Sequence, residues 1–450
     1  MPFLYVLPKP GGKASPVDAA RLASLLCPYR GSLSSLRLGG GELLASSLAG
    51  ILDGAVKIPA TTKQNPQTAW LEICSSAEGL RFRTDPLGTF PLWIAEDDTR
   101  LMITSEVKSL LSLGDFEVVF QPERWPASEK RPPNYSPYAN VRRIPPGALL
   151  WVAPDGTAHT EPRTPLEYRP RDPLSAAEAQ KQELALALLA SARAIASADG
   201  PWGTFLSGGI DSSTATALLA RHHRDLATYT LGSEHSDEYA DAEALAACLG
   251  TKHHRVLVTG EDAREHFERA VFANETIDGL TAETLAQLSV LARAAATGVR
   301  RIATGYGADL LFGSMLRHEQ YLQATGVTDL QSLIERTAWS GEFAPFYAWS
   351  LGVEVHHLFW DPAVMNCAFR IPPEASFDGT TEKIVLRTLA VEQGYLQEEH
   401  AFRKKQALTD GTQFNRVLSA TLGLEQKYAY AEKSACACAI LRRLYSGDKQ

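Results

Sequence analysis

Between Trp202 and Leu218 the chain reads W-G-T-F-L-S-G-G-I-D-S-S-T-A-T-A-L, and no other stretch restricts the fold as much. Thr204-Phe205-Leu206 is a short apolar run suited to a buried parallel strand. Ser207-Gly208-Gly209 is a tight turn, and Asp211-Ser212-Ser213 opens an Ala/Leu-rich helix that runs to about His222. A strand, a glycine turn and a helix N-terminus make an anion site. Glycines let the backbone come close, the N–H groups point outward, and the helix dipole favours negative charge. Asp211 within the turn can hold a magnesium ion against the phosphates it cradles. No G-x-x-x-x-G-K-[ST] run is present, so this is not a Walker A loop.

The flanking sequence extends the pattern. Ala176 to Ala196 predicts a helix, Leu226 to Leu231 a strand, Glu238 to Leu249 a helix and His254 to Val258 a third strand. Glu283 to Thr297 predicts another helix and Arg301 to Thr304 another buried strand. Alternating β and α elements argue for a doubly wound parallel sheet with its ligand at the carboxyl ends of the strands. The last of these strands runs into G-Y-G-A-D-L-L-F-G-S, Gly305 to Ser314, a second glycine-bounded acidic turn. Asp211 and Asp309 would then hold metal ions bridging the phosphates of ATP. Phe205 and Leu231 either wall an adenine ring or sit in the core. Beyond the second turn the chain reads as mainly helical, with polar loops such as Pro372 to Thr381.

Residues 1 to about 160 read as β-rich, with short runs at Leu71–Ile73, Leu80–Phe82, Leu92–Ile94 and Leu101–Ile103 separated by Gly, Pro, Asp and Ser. Val17–Leu26 and Glu106–Leu113 predict short helices, Pro122–Pro137 an exposed loop, and Val141–Val152 a turn entering a strand. Four prolines between 161 and 175 mark a linker. The expected division is therefore residues 1–165 and residues 175–450.

Charge and composition narrow the partners. The formal net charge is −8, with no extended basic face, which argues against a nucleic-acid partner. No apolar run has the length of a membrane span and no charged n-region precedes an apolar stretch, so the expectation is a cytoplasmic protein acting on a small molecule, as a monomer or a homo-oligomer. Of six cysteines only Cys436 and Cys438 are close, and C-A-C does not make a zinc ribbon. The His pairs at 222–223, 253–254 and 356–357 fit no zinc spacing and read as surface or cap histidines.

The first turn resembles S-G-G-x-D-S, the pyrophosphate loop of the N-type ATP pyrophosphatases, which cut ATP into AMP and pyrophosphate. Three pieces of the first half resemble the glutaminase domain of the asparagine synthetase family: Arg83–Leu92, Thr104–Leu110 and Arg143–Gly147. That resemblance implies an Ntn-hydrolase-like β-rich sandwich in front of a PP-loop synthetase domain of the adenine-nucleotide α-hydrolase type. The glutaminase chemistry needs a cysteine after the initiator methionine, and here Pro2 follows Met1, so the expectation is a degenerate class II amidotransferase-like half that releases no ammonia.

Asparagine synthetases carry G-E-G-A-D-E-L-F-G-G at the second turn, and this chain has Tyr306 where they have the glutamate. The tyrosine resembles β-lactam synthetases and carbapenam synthetases, relatives that close a lactam within one substrate. The W-S-G-E-F-A run supplies Glu342 as the partner glutamate. The R-K-K segment ahead of Gly411 supplies the catalytic lysine, assigned to Lys405 rather than Lys404 by alignment to that glycine. The resemblance implies ATP and Mg2+ as cofactors and ATP binding by Phe205, Ser207, Gly208, Gly209, Asp211, Ser212, Leu231 and Gly305. Tyr306 hydrogen-bonded to Glu342 would relay a proton from the attacking amine, and Lys405 would stabilise the developing negative charge. The implied reaction is intramolecular amide formation through an acyl-adenylate, with carboxymethylproline closed to a carbapenam carboxylate as the first substrate. The alternatives are a carboxyethyl-amino acid, a lasso-peptide macrolactam, asparagine-type amide synthesis and a nucleotide-binding regulator without turnover.

Overall fold

In the first half, alternation of apolar and polar residues builds two antiparallel sheets whose apolar faces meet. The computed structural model describes residues 2–11, 16–26, 33–45, 51–52, 55–58, 69–124, 136–163, 166–167, 169, 172–312, 314, 319, 322–323, 329–404 and 411–446. Strands β1 (Phe3–Pro8), β2 (Ser34–Leu38), β3 (Gly41–Ala45), β4 (Ile51–Leu52), β5 (Ala55–Ile58) and β6 (Leu71–Ser76) are followed by β7 (Gly79–Thr84), β8 (Trp93–Glu96) and β9 (Arg100–Thr104). β10 (Val141–Arg143), β11 (Leu149–Val152) and β12 (Ala158–Glu161) complete the set. One sheet has the order β10-β8-β9-β1-β3-β2, the other β12-β11-β7-β6-β5-β4. Phe3 and Tyr5 from the first sheet pack against Phe82 from the second, with ring centres 6.4 and 5.6 Å apart, and Leu71, Ile73, Ile103 and Leu150 fill the rest of that interior. The outer face of β1 and β9 is also buried, beneath the Ala19–Leu25 helix and the 3-10 turn Val107–Ser112.

The first three strands carry no clean signal in the sequence. β1 is buried at five of its six positions, so it reads as a plain apolar run rather than an alternation. Glu106–Leu113 is helical as expected but in 3-10 form. Most of the predicted Pro122–Pro137 loop lies outside the described residues, as does Cys27.

The second half builds one parallel sheet. β13 (Trp202–Phe205), β14 (Ala227–Ser233), β15 (Lys252–Val258), β16 (Arg301–Thr304) and β17 (Glu354–His357) lie in the order β15-β14-β13-β16-β17, all pairs parallel. The chain winds outward from β13 to β15, then returns to the other side of β13 with β16. Chain order reverses between β13 and β16, so the turns leaving those two strands open a crevice at their carboxyl ends. This is the two-layered wrapping that the β/α alternation predicts.

Four details differ from the sequence reading. β17 lies in the stretch whose pattern predicts mainly helix, because a four-residue edge strand with two histidines has no recognisable pattern. The helix predicted over 283–297 is divided into Gly279–Ala286, a 3-10 turn at Gln287–Ser289 and Val290–Ala296. A long helix, Gly260–Asn274, precedes it, capped by Thr259 and Asp262. The Pro372–Thr381 loop contains a helical turn, Pro373–Ser376. Among the described residues no helix is long and apolar enough to cross a membrane.

Candidate active site

β13 ends at Phe205, and the chain turns through Ser207-Gly208-Gly209 into the helix Ile210–Ala220. Gly208 sits at φ +74°, which a side chain would strain, and Gly209 occupies the N-cap without any side-chain cap. No side chain caps the helix's first amide donors, an arrangement that suits an anion. Ser212 stiffens the turn from within. Its Oγ accepts the Ser207 N–H at 3.1 Å, lies 2.9 Å from the Ser207 Oγ and donates to the Gly209 carbonyl at 3.2 Å.

The second turn is pressed against the first. A Cβ on Gly305 would stand 2.5 Å from the Ser212 nitrogen and closer still to the Asp211 carbonyl. Only glycine permits this approach, so the turns after β13 and β16 form one unit. Gly305→Ala is accordingly expected to cost several kcal/mol of stability and to abolish nucleotide binding, because the overlap is with backbone rather than a movable side chain. Thermal unfolding and nucleotide titration of the variant check it; wild-type behaviour in both would show that the turns are not packed this way.

Two aspartates converge on the crevice. Asp211 Oδ2 lies 2.5 Å from Lys383 Nζ, and Asp309 Oδ1 forms a short ion pair with the same ammonium. Lys383 is 7% exposed and starts the Ile384–Glu392 helix at φ +58°. Burial alone would depress its pKa, but the charges of Asp211 and Asp309 outweigh that and raise it. The sequence reading missed Lys383, which lies in a Glu-Lys-Ile step that matches no motif. Two hard carboxylate donors aimed at one cation suit magnesium. Among the described residues no group of three or more His, Cys, Asp or Glu forms a metal cage, so a magnesium ion here would need phosphate oxygens and water to complete its shell.

Tyr306 follows Gly305 and donates its N–H to the Thr304 Oγ at 3.2 Å. Its ring lies on Phe343 at 5.0 Å between centres, and Phe343 stacks in turn on Trp360 at 4.0 Å and 11°. His357, at the end of β17, meets Phe343 edge-on at 4.6 Å and holds Thr304 Oγ through Nδ1 at 2.8 Å. His356 and His357 are thus buried, at 3% and 8% exposure, and are not the surface or cap residues their spacing suggested. Burial, with His356 adjacent, lowers the His357 pKa to about 3, so it stays neutral and orients Thr304.

Glu342 lies one residue before Phe343, in the turn after the helix Leu330–Ser340. It is 9% exposed, and its N–H donates to Ser340 Oγ at 3.2 Å. Burial, with a contribution from the Asp278 carboxylate, raises its pKa to about 8. Asp278 itself is paired with Arg336 at 2.6 Å. The expected hydrogen bond between Tyr306 and Glu342 is not made: Tyr306 reaches the turn through the Phe343 ring.

The remaining candidates divide. Leu231 is buried in a core cluster with Tyr229 and Val258, and Phe205 packs at that cluster's edge, so both have a structural job. Lys405 lies outside the described residues. Both flanks of its segment reach the crevice side of the sheet. Arg403 pairs with Asp241, whose Cβ lies 3.3 Å from where a Cβ on Gly208 would stand, and Thr412 accepts Ser233 Oγ at 2.5 Å at the end of β14. Arg387, one turn after Lys383, donates to the Ala401 and Arg403 carbonyls.

A family model described as asparagine synthase matches residues 183–343 and 347–437, more than half of the 450-residue chain. The chain belongs to the asparagine synthase family. Within this family it is similar to the carboxyethyl-arginine beta-lactam-synthase of Streptomyces clavuligerus, with 28% identity over 353 residues, covering 77% of this chain and 66% of that protein. It is also similar to the glutamine-hydrolyzing asparagine synthetase of Asparagus officinalis, at 27% over 360 residues, covering 74% of this chain and 55% of that protein. Asparagine synthetase B of Escherichia coli K12 matches at 24% over 351 residues, covering 74% and 58%. The chain thus spans about half to two-thirds of the length of these asparagine synthase relatives.

Proposed function

We propose that this protein forms an amide bond within one amino-carboxylate substrate, using ATP to adenylate the carboxylate. The observation that supports the reading is the packing of Gly305 onto Asp211 and Ser212, which joins the two glycine turns, with Asp211 and Asp309 meeting on Lys383. A carboxylate is a poor acylating group. Its attack on the α-phosphorus of ATP gives an acyl-adenylate and pyrophosphate, and the substrate's own amine then displaces AMP and loses a proton. Asp211 and Asp309 would hold Mg2+ on the departing phosphates, which neutralises their charge. A buried Glu342 with a pKa near 8 suits a base that takes the amine proton close to neutral pH. Tyr306, placed through Phe343, would line the same pocket, and Lys405 would stabilise charge on the acyl oxygen and AMP. Holding amine and acyl carbon in one pocket supplies the proximity that ring closure needs.

The first substrate is carboxymethylproline, closed to a carbapenam carboxylate. A carboxyethyl-amino acid is the second reading, favoured by the similarity to the carboxyethyl-arginine beta-lactam-synthase. The first 165 residues are then a glutaminase-like sandwich that serves as a scaffold for the synthetase domain from 175 onward. The test is mass spectrometry of the protein with ATP, magnesium and each substrate, without glutamine or ammonia. Loss of one water from the substrate together with AMP and pyrophosphate is expected. AMP release only when ammonia is added would replace the intramolecular reading with asparagine-type synthesis, and no AMP with any amino-carboxylate would reject both.

A further inference from the structure

We propose that Arg143, on strand β10 of the first half, is a positioning residue that clamps the Glu342 turn from across the boundary between the two halves. β10 is an edge strand with the pattern buried, exposed, buried, so Val141 and Arg143 point inward while Arg142 faces solvent. Arg143 stands opposite Trp93 in register, and its guanidinium lies 5.7 Å from the Trp93 ring centre and 5.1 Å from that of Trp339. From there it donates to the carbonyls of Trp339 and, at 3.1 Å, Ala338. Those are among the last carbonyls of the Leu330–Ser340 helix, which Gly341 terminates at φ +76°. A cation at this point satisfies orphan acceptors and opposes the negative end of the helix dipole. The next residue is Glu342.

A second clamp holds the same turn. Asn274 Nδ2 donates to the carbonyls of Gly341 at 3.2 Å and Ala344 at 3.0 Å, and its Oδ1 accepts the Tyr347 N–H at 2.9 Å. The following residue, Glu275, turns at φ +51° and accepts the N–H groups of Val107 and Lys108 at 2.7 Å each, again in the first half. Arg143, Asn274, Ser340 and Gly341 line one crevice between the halves. The planar fork of an arginine presents its donors pre-aligned to two adjacent carbonyls, whereas a lysine brings a point charge on a flexible stem and loses more freedom to hold both. The first half thereby fixes the position of a carboxylate in the second, and this is a use for that half that requires no chemistry of its own.

The role in the reaction rests on the proposed participation of Glu342, so the test separates the two. Arg143→Gln is expected to speed amide exchange of peptide 338–347 by about tenfold or more in hydrogen–deuterium exchange. It is expected to slow amide formation between about tenfold and a hundredfold while ATP–pyrophosphate exchange and the KM for ATP stay near wild type. Arg143→Lys should fall between the two, and Arg142→Gln should match wild type. Should Arg143→Gln fail to fold, the lysine variant carries the same reading, because it keeps the charge and the stem and loses the fork. Unchanged exchange at 338–347 overturns the clamp. A parallel fall in adenylation and ring closure overturns its specificity for Glu342. Should the wild type release no AMP with any substrate, the functional reading fails and the exchange result alone decides the positioning.

Discussion

Lys383→Met is expected to lower ATP turnover by at least about a hundredfold and to destabilise the fold by about 3 kcal/mol. The substitution keeps the stem and removes the ammonium, leaving Asp211 and Asp309 facing each other across the crevice. Both carboxylates hold the Lys383 ammonium, and breaking a buried ion pair by removing one member costs more than the pair itself contributes. The lower end of the usual range applies because the Asp309 side chain is 47% exposed and water screens it. The sign with pH follows. Two carboxylates sharing one site repel, and protonating either relieves the repulsion, so the variant should regain stability as pH is lowered. The wild type gains nothing from this source while its lysine is charged. Its lysine, with a raised pKa, contributes fully below the unfolded value of 10.5 and loses that contribution only above it. Millimolar magnesium should raise the variant's melting temperature more than the wild type's, since a divalent ion replaces the missing charge. Thermal unfolding across pH, with and without magnesium, checks these points. A variant with unchanged melting and turnover would show that Lys383 neither neutralises the aspartates nor assists phosphate binding.

The parallel sheet and its two glycine turns were legible because they are local. Ser207–Ser213 and Gly305–Asp309 each hold strand end, turn and helix start within a few residues, and the β/α alternation forces both turns to the same edge. Lys383 was not legible. It comes from a segment some 170 residues beyond Asp211, and only the fold brings its ammonium between the two carboxylates. His357 was misread for a related reason: a histidine on a short edge strand has the same sequence neighbourhood as one on a surface turn, and burial decides between them. The hydrogen bond expected between Tyr306 and Glu342 is not made, although Tyr306 packs on the residue next to Glu342. The tyrosine ring turns onto Phe343 instead, and a side chain's rotamer is not written in the spacing of motifs.

Glu342→Gln is expected to reduce amide formation by about a hundredfold to ten-thousandfold while leaving adenylation nearly intact. The wild-type rate of ring closure should rise with pH along a limb with an apparent pKa near 8, as the buried acid ionises to its basic form. The variant should lack that limb. The same shift makes a prediction of opposite sense for stability. The unfolded glutamate titrates near 4.5 and the folded one near 8, so between these values the folded state holds a proton that the unfolded state has lost. Stability therefore falls as pH rises through this window, by as much as a few kcal/mol once Glu342 is ionised in place. Glutamine cannot ionise, so the variant should match wild type near pH 4.5 and exceed it at pH 8. The protein would then be less stable for carrying its base, as expected where a carboxylate is kept buried beside aromatic rings for chemistry rather than for packing. Denaturant unfolding of both proteins at several pH values, set beside single-turnover ring closure, reads the two effects separately. Equal stability across the window would mean that Glu342 titrates near its ordinary value, and it would then lose its claim to be the base.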